Sequence, residues 1–359
     1  MLIGRMRLWA LTLTLSDNPP PFLHFRRVDI LMQVSRLAIL TVFIVAGIFP
    51  NAFCQLVNAE LSIAVVPKGT DRERWNAIHE GALRASEELE REGVHVKILW
   101  KGDAGTSRDK QIQVVDTFTG QRLSGILVAS FDEEQFAGGI RIDRGSDLPM
   151  VYIDSGLDAD RPISYVATDN FEGGAVAADR VGQLIDGVGN VILLRHRQGD
   201  SNAEAREAGF IERIKSSFSS IRMLSIDQYS GDSYSNAHRV SEYLLNRYGR
   251  RVNAIFASSS QGTDGMLQAL RDFDLAGQVF LVGHDASDAS LEAVRNGEIQ
   301  GLLVTNPYRM GYLAVTTLVD HIQGGNMPTI VDTGITLVTM ANIESDEVKE
   351  ALGAASESL

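Results

Sequence analysis

The chain has 359 residues, of which 44% are hydrophobic and 22% are charged, and its formal net charge is −13. These proportions are ordinary for a globular protein, and the length allows one large or two medium domains. The acidic balance argues against a nucleic-acid-binding protein, because contacts to phosphate need clustered Lys and Arg. The single cysteine, Cys54, excludes an intramolecular disulfide, so stability must come from a buried core.

The first 59 residues differ in character from the rest of the chain. Arg36 precedes the apolar run 37–48, Pro50 follows it, and small residues lead up to Ala59. This pattern is typical of a secretory signal peptide and predicts cleavage after Ala59. Met32 is the expected start of translation, because signal peptides normally begin at the N-terminus. The mature chain would then carry 28 basic and 44 acidic residues and no cysteine.

Two alternatives for this leader stay open. A transmembrane anchor would have to cross about 30 Å of hydrocarbon, whereas a helix of this apolar run spans roughly 18 Å. A lipid anchor at Cys54 is the second alternative, although the bulky Phe53 stands where a small residue is expected. Export to the periplasm is therefore the expectation for the mature chain.

From Leu61 onward, short apolar runs of strand length alternate with amphipathic segments of helical period. The runs predict strands at 61–66, 94–100, 125–129, 150–153, 165–168, 191–194, 223–226, 254–257, 279–283 and 302–304. The amphipathic segments predict a helix that begins near Trp75 and ends at Gly93, and further helices near 109–121, 172–186, 203–216, 233–248, 263–273, 287–296 and 309–323.

Strands separated by helices predict right-handed βαβ units and mostly parallel sheets. Ten strands exceed what one sheet usually holds, so two sheets of five or six strands are expected. The predicted fold class is α/β, with two doubly wound parallel-sheet lobes. Ligands bind at the carboxyl ends of such strands, so the functional residues should follow the strands directly.

The residues at these strand ends are carboxylates, amides, hydroxyls, arginines and one tryptophan. They include no nucleophile-and-base motif, no phosphate loop and no metal-ligand spacing, so no catalytic residue, cofactor or metal is predicted. Asp154 and Asp285 are candidates for a general acid and base. They are equally suited to accept hydrogen bonds from sugar hydroxyls, with Asn and Arg completing the network and an aromatic ring stacking on the sugar.

Several segments together resemble a known family: the Leu61–Val66 run, Glu80-Gly81-Ala82, 123–128, Pro149 to Asp154, Val166 to Asn170 with Gly173-Gly174, Ala205 to Phe210, Val282 to Asp285, and Asn306-Pro307 with Met310-Gly311. Over about residues 61–340 the chain is similar to the periplasmic sugar-binding proteins of ABC importers, of the ribose/galactose type. The resemblance implies a type I periplasmic binding protein fold, in which three strands join the lobes as a hinge.

The resemblance also implies ligand-binding roles for individual residues. Trp75, with Arg74 before it, matches the aromatic pair that stacks on the sugar, and Arg72 matches an asparagine of the same loop. Asp154 and Asp285 match the carboxylates that hold hydroxyls. The resemblance further implies that Arg206 binds hydroxyls and that Asn170 lies at the first hinge crossing.

Three ligand positions depart from the family pattern. Ser155 replaces an arginine, Ser259 and the serine after it replace an Asn-Asp pair, and Thr305 replaces a glutamine at the last crossing. All three positions are kept as candidate ligand-binding residues. These departures argue against ribose itself and leave the identity of the sugar open.

Structural explanations compete with each of these roles. Trp75 lies on the apolar stripe of its helix, which favours core packing. Asp154 and Asp285 are placed to cap the helices that follow them. Arg206 has Glu neighbours with which to pair, Asn170 is suited to a hinge turn, and the 258–260 serine run offers a helix cap at Ser260.

The predicted function is a non-enzymatic receptor that captures a monosaccharide or related polyol and delivers it to an ABC transporter permease. We expect a monomer that closes by rotation at 168–170, 304–306 and 333–336. Residues 60–168 and 305–334 would form one lobe, and 169–304 and 335–359 the other. The alternatives are a receptor for a sensor or chemotaxis protein, a periplasmic sugar hydrolase, and a repressor of the lactose type.

Overall fold

A computed structural model describes residues 60–68, 72–101, 108–119, 121–129, 148–154 and 164–352. The predictions for the leader, for Cys54 and for Ser155 lie outside these residues. The strands are β1 (Leu61–Val66), β2 (Val96–Trp100), β3 (Gly125–Val128), β4 (Met150–Ile153), β5 (Ser164–Ala167), β6 (Gly189–Arg195), β7 (Ile221–Tyr229), β8 (Ala254–Ala257), β9 (Phe280–His284), β10 (Gly301–Thr305), β11 (Ile330–Asp332) and β12 (Ile335–Val338).

The helices follow the strands in regular alternation. They are α1 (Arg72–Arg91), α2 (Arg108–Thr119), α3 (Asn170–Leu184), α4 (Ser201–Ser217), α5 (Tyr234–Tyr248), α6 (Ser260–Asp272), α7 (Asp288–Arg295), α8 (Pro307–Ile322) and α9 (Asp346–Ala351), with a short 3-10 turn at Gly249–Arg251. Within the described residues, none of the helices combines the length and the apolar character needed to cross a membrane.

The described strands form two six-stranded sheets. Their orders are β11-β5-β4-β3-β1-β2 in the first sheet and β12-β10-β9-β8-β6-β7 in the second. Every pairing between these strands is parallel except that of β10 with β12. The prediction of an α/β fold with two doubly wound lobes is confirmed. We call the lobes built on the first and second sheets the first lobe and the second lobe.

The chain crosses between the sheets three times. It passes from β5 to α3 through Thr168, from β10 to α8 through Asn306, and from β11 to β12 through Thr333. The first and third crossings are hydrogen-bonded together, because Thr168 Oγ1 lies 2.9 Å from Thr333 Oγ1. The three-strand connection of a type I binding protein is therefore present at the predicted positions.

Two strands were not predicted from the sequence. β11 has only three residues, of which two are exposed, and β12 is mostly half-buried. Neither carries the apolar run that signals a buried strand. Both strands pair at one edge of their sheet, so their positions depend on the long-range pairing of β11 with β5 and of β12 with β10.

Helix caps explain why several helices begin earlier than predicted. The side chain of Asp169 accepts a hydrogen bond from the backbone N–H of Glu172, and α3 therefore begins at Asn170. Ser259 caps α6 in the same way by accepting from Gly262 N, whereas the sequence suggested Ser260 as the cap. These caps bring the helix N-termini directly up to the ends of the preceding strands.

Apolar clusters cover both faces of each sheet. In the first lobe, one cluster joins α1 and α8 to the sheet, and a second joins α2 to the opposite face. In the second lobe, α3 and α4 cover one face, and α5, α6 and α7 cover the other. Polar side chains at the carboxyl edges of these sheets are consequently held by rigid, layered elements on both sides.

The helices α3 and α4 approach each other at backbone distance. A Cβ atom added to Gly174 would overlap the carbonyl oxygen of Arg206, and one added to Gly209 would overlap the carbonyl oxygen of Phe171. Only glycine fits at these two positions, since a side chain would force the helices apart. This packing places Arg206, on α4, beside Asn170 at the start of α3.

Candidate functional site

Two aspartates directly follow strands at equivalent positions in the two sheets. Asp154 directly follows β4, and Asp285 directly follows β9. Both have a left-handed backbone, with φ of 63° and 56°, which aspartate tolerates better than most residues. Each donates its backbone N–H to the neighbouring strand, Asp154 to Val166 at 3.1 Å and Asp285 to Leu303 at 2.8 Å. The fold thus repeats the same strand-end turn in both lobes.

Asp154 is buried between two cations of its own lobe. Its Oδ1 lies 2.5 Å from Arg74 Nη2, and its Oδ2 lies 3.1 Å from Lys68 Nζ. Burial alone would raise the pKa of Asp154, but the charges and hydrogen bonds of Arg74 and Lys68 outweigh burial and hold this pKa well below its usual range. The Asp154 carboxylate is therefore ionised at physiological pH.

Thr305 connects this ion pair to the second lobe. Its Oγ1 accepts a hydrogen bond from Arg74 Nη1 at 3.0 Å and donates one to Asp285 Oδ1 at 3.2 Å. Asp154, Arg74, Thr305 and Asp285 thus form one continuous polar chain, which we call the cleft network. A second contact between the lobes runs from Asn202 Nδ2 to the carbonyl oxygen of Asp154, at 3.2 Å.

Asp285 is the more accessible of the two carboxylates, with 35% of its side chain exposed. Burial opposes its ionisation, but His284, Arg74 and Arg206 together hold the pKa of Asp285 below its ordinary value. A glycoside hydrolase needs one carboxyl group whose pKa is raised, so that it can act as a general acid. Lowered pKa values at both Asp154 and Asp285 argue against the hydrolase alternative.

Arg206 is a buried cation on α4, and the residue is 5% exposed. Its Nε and Nη2 donate to the carbonyl oxygen of Ser258 at 3.1 and 2.9 Å, and its Nη1 donates to Asn170 Oδ1. Among the described residues, no carboxylate oxygen pairs with it within 4.0 Å. Burial lowers the pKa of Arg206 to about 10, which still leaves it charged at neutral pH.

Glu207, the neighbour of Arg206, pairs elsewhere. Its carboxylate accepts from Arg195 Nε at 2.5 Å, from the backbone N–H of His196 at 2.9 Å and from Ser258 Oγ at 2.7 Å. This buried group ties the ends of β6 and β8 to α4. Arg206 therefore does not pair with its helix neighbour Glu207. Glu207 instead supports the site by holding these strand ends in place.

Asn170 orients Arg206 from the first crossing. Its Oδ1 accepts from Arg206, while its Nδ2 donates to the carbonyl oxygen of Thr168 at 3.2 Å. Asn170 is the first residue of α3, where the Asp169 cap fixes the backbone. Asn170 therefore does more than form a turn, because it links the crossing segment to the buried guanidinium.

Trp75 lies in the core of the first lobe. It is 5% exposed and belongs to the apolar cluster that also contains Ile63 and Ile78. The structure thus gives Trp75 the packing role that the apolar stripe of α1 suggested, because the indole follows that stripe inward. Its neighbour Arg74 is the residue of the expected pair that reaches the cleft network.

Ser259 serves as a helix cap. Its Oγ accepts from Gly262 N at 3.1 Å and lies 3.3 Å from Ser230 Oγ. Of the two remaining candidates, Arg72 begins α1, but its side chain is outside the described part of the chain, as is the whole of Ser155. The structure therefore brings together Arg74, Asp154, Thr305 and Asp285, with Arg206 and Asn170 forming a second group.

Two histidines at the strand ends were missed by the sequence analysis. His284 is the last residue of β9, and His196 directly follows β6. Burial lowers the pKa of both imidazoles, that of His284 to about 3. A lone histidine in an apolar strand is usually a core residue, so only its place immediately before Asp285 could have signalled His284.

One further group of titratable residues lies on the surface between α5 and α6. His238, Glu242 and Asp272 bring their ligand atoms within 4.8 Å of one another. His238 Nε2 is already 2.8 Å from Asp272 Oδ2, as expected of a surface ion pair. None of these three residues takes part in the cleft network.

Comparisons with known proteins agree with this fold and site. The model of the periplasmic binding protein domain family matches residues 63–326. The ribose import binding protein of Haemophilus influenzae is 24% identical over 291 residues, which are 81% of this chain and 94% of that protein. The D-allose-binding periplasmic protein of Escherichia coli is 24% identical over 280 residues, which are 75% and 87% of the two chains.

A solved structure supports the same assignment. The sugar-binding protein of a sugar ABC transporter from Bacillus halodurans superimposes with a TM-score of 0.71 at 25% identity, over 80% of this chain and 99% of that chain. These relatives are binding proteins of transport systems rather than enzymes, in agreement with the expectation that this protein has no catalytic activity. The chain belongs to the periplasmic binding protein domain family and has the type I fold.

Proposed function

We propose that this protein is an extracytoplasmic receptor that captures a monosaccharide or related polyol between its two lobes. The observation that carries the proposal is the cleft network, which places Asp154 and Asp285 at facing strand ends with Arg74 and Thr305 between them. Ionised carboxylates accept hydrogen bonds from vicinal hydroxyls, and a guanidinium donates to hydroxyl oxygens. The ribose and allose specificities of the relatives support the same ligand class.

The proposed ligand-binding residues divide between the lobes. Arg74 and Asp154 would hold the sugar from the first lobe, and Arg206 and Asp285 from the second. Asn170 and Thr305, at the first and second crossings, would complete the site. Arg72, Ser155 and Ser259 remain proposals from the resemblance alone, and Trp75 would support the site from the core.

We further propose that the lobes open and close about the crossings at 168–170, 304–306 and 333–336. Among the described residues, hydrogen bonds across the cleft run from Arg74 to Thr305 and from Asn202 to Asp154. Opening would break both, whereas the ion pair of Arg74 with Asp154 lies within the first lobe and would persist. The predicted lobes, residues 60–168 with 305–334 and residues 169–304 with 335–359, would then move as rigid bodies, except that Thr305 ends β10 and would move with the second lobe.

Delivery to an ABC transporter permease is the proposed use of the bound sugar. The relatives that match most of this chain include a ribose import binding protein, and the closed receptor would dock on the permease as a monomer. The leader 32–59 would direct the chain to the periplasm, with cleavage after Ala59 and no lipid at Cys54. A permease gene beside the gene for this chain would support transport over presentation to a sensor.

Thermal unfolding with a sugar panel tests this function. The panel comprises D-ribose, D-allose, D-arabinose, D-galactose and xylitol, with an amino acid such as L-leucine as the control ligand. A panel member at a hundredfold excess over its Kd should stabilise the protein by ~2.7 kcal/mol and raise the melting temperature. An unchanged melting temperature with every sugar and polyol, or a shift with L-leucine alone, would overturn the proposal.

A further inference from the structure

His284 carries a buried nitrogen that lacks a hydrogen-bond partner. The residue is 4% exposed, and its Nδ1 lies 3.4 Å from Asp285 Oδ2. Its Nε2 is buried and has no hydrogen-bond partner among the described residues. A buried polar atom without a partner is rare in folded proteins and calls for an explanation, such as a bound group that satisfies it.

The neighbouring carboxylate fixes the character of this nitrogen. An ionised carboxylate only accepts hydrogen bonds, so the ring proton of His284 belongs on Nδ1, facing Asp285. A neutral imidazole has one donor and one acceptor nitrogen. Nε2 is therefore a lone-pair acceptor, and the group that satisfies it must donate a hydrogen.

His196 repeats this arrangement at the end of β6. Its Nε2 lies 3.4 Å from Asp232 Oδ1 and 3.9 Å from Asp200 Oδ2, which places the ring proton on Nε2. Its Nδ1 is buried and has no hydrogen-bond partner in the part of the chain that the structure describes. His196 thus offers a second acceptor nitrogen, and the charge of Arg206 disfavours protonation of both imidazoles.

Arg206 has unused hydrogen-bond donors, whereas the unpartnered nitrogens of the two imidazoles are acceptors. A guanidinium has five N–H donors, and the hydrogen bonds of Arg206 within the described residues occupy one on each of its three nitrogens. One N–H of Nη1 and one N–H of Nη2 therefore make no hydrogen bond to the described residues. Burial keeps both histidines neutral, so the acceptor nitrogens persist at neutral pH.

We propose that His284 and His196, together with Arg206, form a subsite that reads hydroxyl groups of the sugar. This rests on the proposed function and deepens it. A hydroxyl oxygen accepts from the guanidinium while its hydrogen is donated to an imidazole nitrogen. One hydroxyl group thereby pairs an unused N–H of Arg206 and the acceptor nitrogen of a histidine. A carboxylate or phosphate brings only acceptors and would face the imidazole lone pairs. The subsite therefore selects neutral polyhydroxyl groups over sugar acids and sugar phosphates.

Calorimetric titration of His284→Phe with the sugar panel tests this assignment. Phenylalanine keeps the ring volume and removes the acceptor, so the tightest-binding panel member should lose at least about tenfold in affinity. Against one monodeoxy analogue of that sugar, wild type and His284→Phe should bind equally, because the hydroxyl that contacts Nε2 is then missing. His95→Phe, which changes an exposed histidine, is the matched control and should bind as the wild type does.

The outcomes separate the subsite from the receptor function. Equal affinity of wild type and His284→Phe for every sugar overturns the subsite and leaves the receptor standing. Failure of the wild type to bind any panel member overturns both. Tighter binding of D-ribose 5-phosphate or D-galacturonate than of the neutral sugars also contradicts the subsite.

Nitrogen NMR on the wild-type protein gives a test that does not depend on a variant folding correctly. In protein labelled at histidine, the Nε2 resonance of His284, assigned by its loss in His284→Phe, should be that of an unprotonated nitrogen. Saturation with the bound panel sugar should move it upfield as it accepts the hydroxyl hydrogen. A resonance that does not move, or one that already carries the proton before sugar is added, contradicts the proposal.

Discussion

Asp154 and Asp285 occupy the same place in the two lobes, each leaving its strand in a left-handed turn that donates its N–H to the next strand. Thr305 and Arg74 join the two carboxylates into one chain. The repeated turn explains how two separate sheets present matching acceptors to one cleft. Asp274 offers a matched control, because it has the same left-handed backbone, with φ of 52°, and lies outside the cleft network.

We predict that Asp285→Asn and Asp154→Asn each weaken sugar binding by at least about tenfold, because an amide replaces one acceptor oxygen with a donor and removes the charge. Asp274→Asn should leave binding unchanged, since it alters the same residue type in the same conformation. Calorimetric titration with the tightest-binding panel sugar measures all three. Equal losses in Asp274→Asn and Asp285→Asn would mean that the backbone turn, and not the cleft carboxylate, carries the effect.

Thr305→Val should lower the free energy of unfolding by about 1–3 kcal/mol, because valine keeps the shape but leaves Asp285 and Arg74 without the shared hydroxyl. Sugar affinity should also fall, since the contact between Arg74 and the second lobe is lost. Thr316→Val, a half-buried position of α8 whose hydroxyl bonds only within the helix, is the control and should change stability by roughly 0.5 kcal/mol or less. Urea unfolding checks both, and indistinguishable variants would remove Thr305 from the network.

Gly174→Ala should destabilise the protein by roughly 1–3 kcal/mol, because the new methyl group overlaps the backbone carbonyl of Arg206 and forces α3 from α4. It should also weaken sugar binding, since Arg206 and Asn170 move with these helices. Gly173→Ala is the matched neighbour, because its methyl group would meet only the flexible end of Ile335, at 2.8 Å. A loss in Gly173→Ala as large as that in Gly174→Ala would contradict the backbone-contact explanation.

Stability should fall as the pH falls below neutrality, and His284 should account for part of the fall. Burial, and then the charge of Arg206, lowers the pKa of His284 from 6.5 to about 3. Between these values the unfolded chain binds a proton that the folded chain does not, so the free energy of unfolding decreases with falling pH. From about pH 7 to about pH 5 the loss from this residue is roughly 2 kcal/mol.

Urea unfolding at these two pH values measures the effect, and His284→Phe should lose less stability than the wild type over the same interval. His196 is present in both proteins, so its own contribution cancels in the comparison. Asp154 acts in the same direction but only in more acidic solution, where its lowered pKa is approached. Identical pH slopes for the two proteins would show that His284 takes up its proton as readily in the folded chain as in the unfolded chain.

The sequence predicts ten of the twelve described strands, a mostly parallel arrangement in two sheets and the strand-end carboxylates, because apolar runs and their periodicity encode the elements locally. Asp154 and Asp285 follow such runs directly. The resemblance to a family adds Arg206 and Thr305. β11 and β12 were missed because short, partly exposed edge strands depend on pairing with distant partners rather than on their own apolar pattern.

Local sequence patterns could not predict which of the site residues contact each other. Trp75 and Arg74 are adjacent in sequence, yet one enters the core and the other reaches Asp154, which only the seating of α1 on the sheet decides. The sequence places His284 directly after a predicted strand, beside Asp285, but assigns it no role. Its unpartnered nitrogen becomes visible only when Asp285 is seen to occupy the other side of the ring.

Native mass spectrometry of the protein purified from its natural host, without added sugar, tests the central claim most directly. We predict a mature chain that begins at Glu60 and carries one bound molecule with the mass of a neutral pentose, hexose or polyol, released on mild activation. Arg206→Ala, isolated in the same way, should carry none, because it lacks the buried guanidinium that we propose as a donor to the sugar hydroxyls. A bound amino acid, peptide or phosphorylated compound in place of the sugar would contradict the account.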